Sequence, residues 1–191
     1  MSQKDITCCF TGHRPRKLPW GLRESDSRCI DTKKWIFNQI LDLYLSGFRR
    51  YYCGMAIGCD MYFAEQVIEL KQKYPDILLL GAIPCADQTS GWNTKQRLRY
   101  SELLEQFDDV ELFSETYSKT CMDRRNRFMV DESSVLLACF NGSHGGTMNT
   151  ILYAQREGLE IRMLDINQLV REEDREKPEI VYTYDKNKEV Y

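Results

Sequence analysis

Short apolar runs alternate along this chain with longer segments whose apolar residues recur every third or fourth position. Such alternation predicts a parallel sheet joined by helical crossovers. The first run is Ile6-Thr-Cys-Cys-Phe10, followed by the turn Thr11-Gly12-His13-Arg14-Pro15. Trp35, Ile36, Ile40, Leu43 and Tyr44 then mark one face of a helix over 31–46, with Gly47 as its cap. Arg50-Tyr-Tyr-Cys53 reads as the second strand and runs into the turn Gly54-Met-Ala-Ile-Gly58-Cys-Asp60. Phe63, Val67, Ile68 and Leu70 give the next helix, closed by Tyr74-Pro75-Asp76.

The unbroken run Ile77–Ile83 has the composition of a strand covered on both faces, and Pro84 ends it. A helix is expected over 94–107, a short strand over 110–113, and an arginine-bearing helix over 122–131. Val135–Phe140 is another buried strand and leads into Asn141-Gly-Ser-His-Gly145-Gly146-Thr147. A helix through 151–156 ends at Gly158, and Ile161–Leu164 is the last strand. The expected architecture is one α/β domain over 1–170, a Rossmann-like open parallel sheet with helices on both faces. A charged C-terminal tail over 171–191 follows it.

Composition narrows the function classes. The 191 residues are 42% hydrophobic and 29% charged, which is globular rather than disordered. A net charge of −3 argues against a surface built to neutralise a nucleic-acid backbone. The opening Met1-Ser-Gln-Lys-Asp-Ile6 has no apolar leader, and no run is long enough to span a bilayer. The eight cysteines never form a CxxC pair, and Cys8, Cys9, Cys53 and Cys139 lie in strand-like runs. They read as buried, reduced thiols in a cytoplasmic protein.

In an open parallel sheet, ligands bind beyond the carboxyl ends of the strands, where the strand order reverses. Glycine in such turns lets backbone N–H groups approach an anion, and a following helix adds positive charge at its N-terminus. Gly145-Gly146-Thr147 joins a buried strand to a helix, so Thr147 either donates to a phosphate or caps the helix. Gly54, Gly58 and Asp60 share that setting, with Asp60 as a helix cap or a partner for a ribose hydroxyl. Thr11, Gly12, His13 and Arg14 bring a hydroxyl, an imidazole and a guanidinium to the end of the first strand. Arg14 suits phosphate, since its planar fork binds two oxygens at once. His13 and His144, the only two histidines, lack metal-ligand spacing, and no metal is expected.

Taken together, these residues resemble the SLOG superfamily of Rossmann-like proteins, which includes the LOG phosphoribohydrolases and DprA. The similarity covers about residues 5–165 and is nearest to the small bacterial YpsA-like branch. It rests on Thr11–Pro15, Gly54-x-x-x-Gly58-x-Asp60, Ile83-Pro84, and Gln88 with Trp92 and Tyr100. Arg125-Asn126 with Met129-Val130-Asp131, and Gly145-Gly146-Thr147, complete it. Each motif is weak alone, whereas their order and spacing are specific.

The LOG enzymes carry an arginine on the helix before the glycine-rich loop, and Arg125 matches it. They also carry a glutamate two residues after the Gly-Thr, where this chain has Asn149 followed by Thr150. The resemblance therefore implies a retained phosphate site without the carboxylate for cleaving an N-glycosidic bond. It gives Trp92 either a stacking role at the pocket mouth or a role as a loop anchor.

The resulting expectation is a protein that binds a nucleotide derivative, ADP-ribose-like, NAD-like or a nucleoside phosphate, as sensor or regulator. Its ligand contacts would come from Thr11, Gly12, His13, Arg14, Gly54, Gly58, Asp60, Trp92, Arg125, Asn126, Gly145, Gly146 and Thr147. The alternative is a nucleotide-processing enzyme using Asp60, Asp131 or His13 in place of the missing glutamate. DprA-like binding of single-stranded DNA ranks lower, for want of a basic and aromatic stripe. Beyond a nucleotide ligand no cofactor is implied, and the family resemblance allows a homodimer.

Overall fold

The computed structural model describes residues 2–118 and 120–175. Six strands, β1 (Thr7–Gly12), β2 (Arg50–Cys53), β3 (Leu78–Ile83), β4 (Asp109–Leu112), β5 (Val135–Phe140) and β6 (Glu160–Asp165), form one sheet. Every pairing is parallel, in the order β4-β3-β2-β1-β5-β6. Five helices connect them: α1 (Ser27–Leu45), α2 (Cys59–Lys73), α3 (Thr94–Leu104), α4 (Cys121–Asp131) and α5 (Gly146–Arg156).

Side chains alternate across a strand, so each buried strand feeds two cores. Cys8 and Phe10 of β1, with Leu137 and Cys139 of β5, meet Ile36, Ile40 and Leu43 of α1. Phe63, Val67 and Leu70 of α2 join that face, and the Phe63 ring stacks on Phe10 at 4.7 Å. Cys9, Leu136 and Ala138 face the other way, against Met129 and Val130 of α4 and Ile151 and Ala154 of α5. All eight cysteines are buried and free, as their apolar settings predict.

Most elements fall where the hydrophobic pattern puts them, and the differences have local causes. Helix α1 begins at Ser27 rather than near residue 31, because the Asp26 side chain accepts the Arg28 N–H at 3.0 Å and caps it. Gly47 closes α1 as expected: its N–H reaches Tyr44 O and the Phe48 N–H reaches Leu43 O. Helix α3 stops at Leu104, and Gln106 and Phe107 turn back onto Leu103 and Leu104. Strand β4 is an edge strand, with Val110 and Leu112 exposed.

The first five residues of the supposed tail lie on the domain. The Glu172 N–H donates to Ser27 Oγ at 2.9 Å, and Arg175 pairs with Asp31. Residues 176–191 lie outside the described part. An ion cluster fixes the long β1–α1 connection: Glu24 meets Lys33 of α1 at 2.7 Å and Arg99 of α3 at 2.5 Å, and both cations also reach Glu65 of α2. Among the described residues no helix is long and apolar enough to cross a membrane, and no cluster of three metal-ligating side chains occurs.

Candidate ligand-binding site

From the central strand β1 the chain builds outward through β2 and β3 to β4, then returns to place β5 on β1's other side. The order therefore reverses at β1 and β5, and the loops leaving their carboxyl ends part to leave a crevice. A cavity of about 280 Å³ lies there. It is lined by the β1 loop, the start of α2, one face of α4 and the loop into α5.

The β1 loop brings His13 and Lys17 inward. His13 is 3% exposed, and its Nε2 accepts the Asn141 N–H at 3.2 Å. The ring proton then belongs on Nδ1, which faces Thr147 Oγ1 at 3.4 Å, while that hydroxyl donates to Gly12 O at 3.2 Å. Burial holds the His13 imidazole below its usual pKa, against a raising contribution from Asn141, and nearby Lys17 adds to the depression. His13 is thus a neutral brace between two loops, with both ring nitrogens engaged. Thr11 and Gly12 line the cavity beside it, and Arg14 and Arg16 stand exposed at its rim.

Arg125 comes from α4 and is 4% exposed. Its guanidinium lies against the β2 turn so closely that a Cβ on Gly54 would sit 1.5 Å from Nη1, which explains the glycine there. Nη1 donates to Ala82 O at 3.3 Å, Nη2 has only Met122 Sδ at 3.9 Å, and Nε has no partner. No carboxylate comes within ion-pair distance among the described residues. Burial lowers the Arg125 pKa, with Asp60 opposing the shift, yet a guanidinium stays charged in any protein.

Asp60, in the first turn of α2, is 6% exposed and lines the same cavity. Its Oδ2 accepts the Ala56 N–H at 3.2 Å, so it braces the turn from Gly54 to Gly58. Burial raises its pKa, while Arg125, the Ala56 N–H and Arg14 pull it back. Four cations, Arg14, Arg16, Lys17 and Arg125, therefore face one buried carboxylate around the cavity. Gly145 and Gly146 open α5 on its rim and aim the helix N-terminus into the space.

Of the residues singled out in the sequence, Thr11, Gly12, His13, Arg14, Asp60, Arg125, Asn126, Gly145, Gly146 and Thr147 line this one cavity. Gly54 and Gly58 stand behind it: Gly54 beds Arg125, and Gly58 passes against His13 O. Trp92 is not among the lining residues; its ring packs edge-on against Tyr100 at 5.5 Å, which makes it a loop anchor. Asp131 also lies off the cavity, where it accepts the Tyr153 hydroxyl at 2.8 Å. Asn149 is exposed and likewise does not line it.

Sequence reasoning missed Lys17 and Asn141. Lys17 lies two residues beyond the Thr-Gly-His-Arg-Pro turn, so its nearness to the site was legible. Asn141 sits at the end of β5 and gave no signal beyond its loop position. Arg16 was missed too, as were Ala56, Met122 and Phe10, which together with Met129 give part of the wall an apolar lining.

An all-parallel open sheet with a cationic cavity at its switch point defines the Rossmann-like class of α/β proteins. Within that class, the model of the YspA SLOG family (YpsA) matches residues 8–173, and the chain belongs to this family. The SPbeta prophage-derived protein YoqJ of Bacillus subtilis (strain 168) is 30% identical over 119 residues, 56% of this chain and 70% of YoqJ. A UPF0398 protein of Bacillus pumilus (strain SAFR-032) is 26% identical over 172 residues, covering 86% of this chain and 91% of the relative. Among solved structures, DNA processing protein A of Helicobacter pylori superposes with a TM-score of 0.56 at 17% identity. Its Streptococcus pneumoniae counterpart also gives 0.56, at 14% identity. Both cover 84% of this chain, which spans 65% and 50% of those two proteins, and the likeness is one of fold.

Proposed function

We propose that this protein binds a phosphorylated nucleoside or a related nucleotide derivative, as a sensor or regulator, with its phosphate at the start of α5. One observation carries the reading: Arg125 is 4% exposed, borders the cavity and has no carboxylate partner. A buried cation with no carboxylate within ion-pair distance is costly, and an anionic ligand in the cavity lowers that cost beyond what Asp60 supplies. The helix N-terminus and Lys17 supply further donors of the kind that phosphate takes. Asp60, a carboxylate on the same wall, suits a ribose hydroxyl.

The volume of about 280 Å³ is at the small end of ligand pockets. It suits one nucleoside phosphate, while an ADP-ribose-like or NAD-like ligand would extend through the opening. Membership of the SLOG family supports a nucleotide derivative. Thermal denaturation with AMP, ADP-ribose and NAD tests the reading, and a saturable rise in melting temperature with at least one of them is expected. Flat melting temperatures up to millimolar concentration would overturn it.

Hydrolysis of the same ligand is the weaker reading. Of the three candidates Asp60, Asp131 and His13, Asp131 lies off the cavity and His13 has both ring nitrogens occupied, which leaves Asp60. Release of free base from AMP, lost in Asp60→Asn, would restore that reading.

A further inference from the structure

The loop between β5 and α5 is tied down from outside its own sequence. Lys17 reaches it from the β1 loop, and its ammonium donates to His144 O at 2.6 Å and to Ser143 Oγ at 3.0 Å. Asn141 works from the base of the same loop. Its Nδ2 donates to Lys17 O at 3.2 Å, and its Oδ1 accepts the Ser143 N–H at 2.9 Å. Its carbonyl accepts from Asn167 Nδ2 at 3.0 Å, beyond the end of β6. Lys17 also borders the cavity lined by buried Arg125, whose Nε has no partner.

An ammonium has three N–H donors, and two are taken by the loop. Donation to His144 O and Ser143 Oγ holds the backbone just ahead of Gly145-Gly146, the N–H groups that open α5. We infer that Lys17 is the positioning residue of the anion site. It clasps the Ser143–Gly145 loop over the cavity with two donors and offers the third to the bound phosphate. Asn141 holds the lysine's own backbone in place. The phosphate half of this inference rests on the proposed function, whereas the clasp is made by the protein's own residues and can be tested without a ligand.

Two variants separate the two roles. Lys17→Met removes donors and charge, while Lys17→Gln keeps an N–H donor for the loop and loses the charge. Hydrogen exchange of the peptide spanning residues 141–147, in ligand-free protein, reads the clasp. Exchange about tenfold faster in Lys17→Met than in wild type is expected, with Lys17→Gln in between. Calorimetric titration with AMP and with inorganic phosphate reads the third donor. Both variants should bind at least about tenfold more weakly than wild type, because a charged hydrogen bond is lost.

Loop exchange in Lys17→Met equal to wild type would overturn the clasp. Unchanged AMP and phosphate affinity in both variants would overturn the contact with the anion. If wild type binds neither probe, the phosphate half is overturned, whereas the proposed function falls only if ADP-ribose and NAD also fail to stabilise the protein, and the exchange comparison still decides the clasp.

Discussion

Arg125 is buried to 4% exposure, and its firmest partner is the Ala82 carbonyl at 3.3 Å. Stability alone does not favour such a group, since an apolar side chain of similar length would fill the space without stranding a charge. Arg125→Met is therefore expected to be at least as stable as wild type in chemical denaturation, by up to about 3 kcal/mol. Its thermal response to AMP should vanish. A marked loss of stability would mean that the protein's own groups, Asp60 foremost, already compensate the guanidinium.

His13 makes a pH prediction. Burial depresses its folded-state pKa, so as pH falls the unfolded chain takes up the proton first, near about 6.5. The contribution of neutral His13 is therefore complete above that value and is lost as pH falls through the window below it. Melting temperature should decline from about pH 7.5 to 5.5, and less steeply in His13→Gln. Equal slopes in the two proteins would assign the decline to other groups.

At the scale of elements, the strand–loop–helix unit from β5 to α5 is where local sequence and function meet. Gly145 has φ +147°, a conformation that side chains rarely adopt, and an added Cβ would also lie 3.0 Å from Lys17 Nζ. Gly145→Ala should cost about 1–3 kcal/mol in chemical denaturation and abolish AMP binding. Gly146→Ala provides the contrast, since nothing lies within 4 Å of its added Cβ. Its stability should stay within about 0.5 kcal/mol of wild type.

The start of this unit could be read from Val135–Phe140 and the two glycines. Helix α5 was seen only from residue 151 because Thr147 and Thr150 interrupt the apolar pattern. Both are buried, through hydrogen bonds to Gly12 O and Gly146 O that a hydrophobic pattern does not register. The early start of α1 has a similar reason: its cap is a hydrogen bond that the Asp26 carboxylate accepts from the Arg28 N–H.

Across the whole molecule, β1 and β5 send alternate side chains into both cores, so neither core can melt while the other keeps its strands. Far-ultraviolet circular dichroism and the fluorescence of the three tryptophans, of which Trp20 is buried, should report one coincident unfolding transition in denaturant. Separate midpoints would show that the faces unfold independently. The same central strands carry the site, which ties its geometry to the rigidity of the core.

Hydrophobic periodicity and glycine-bearing turns were enough for the sheet, its parallel class and the loops at the strand ends, because these follow from local side-chain spacing. The resemblance built on those loops also pointed to the family. Which of the marked residues meet was decided by the strand order, which brings the β1 loop beside the loop leaving β5. That order gathered Arg14, Asp60, Arg125 and Gly145-Gly146 around one cavity and left Trp92 and Asp131 outside it. The Lys17–His144 contact spans 127 positions. No local pattern encodes a contact at that separation, since only packing of the whole sheet brings the two loops within reach.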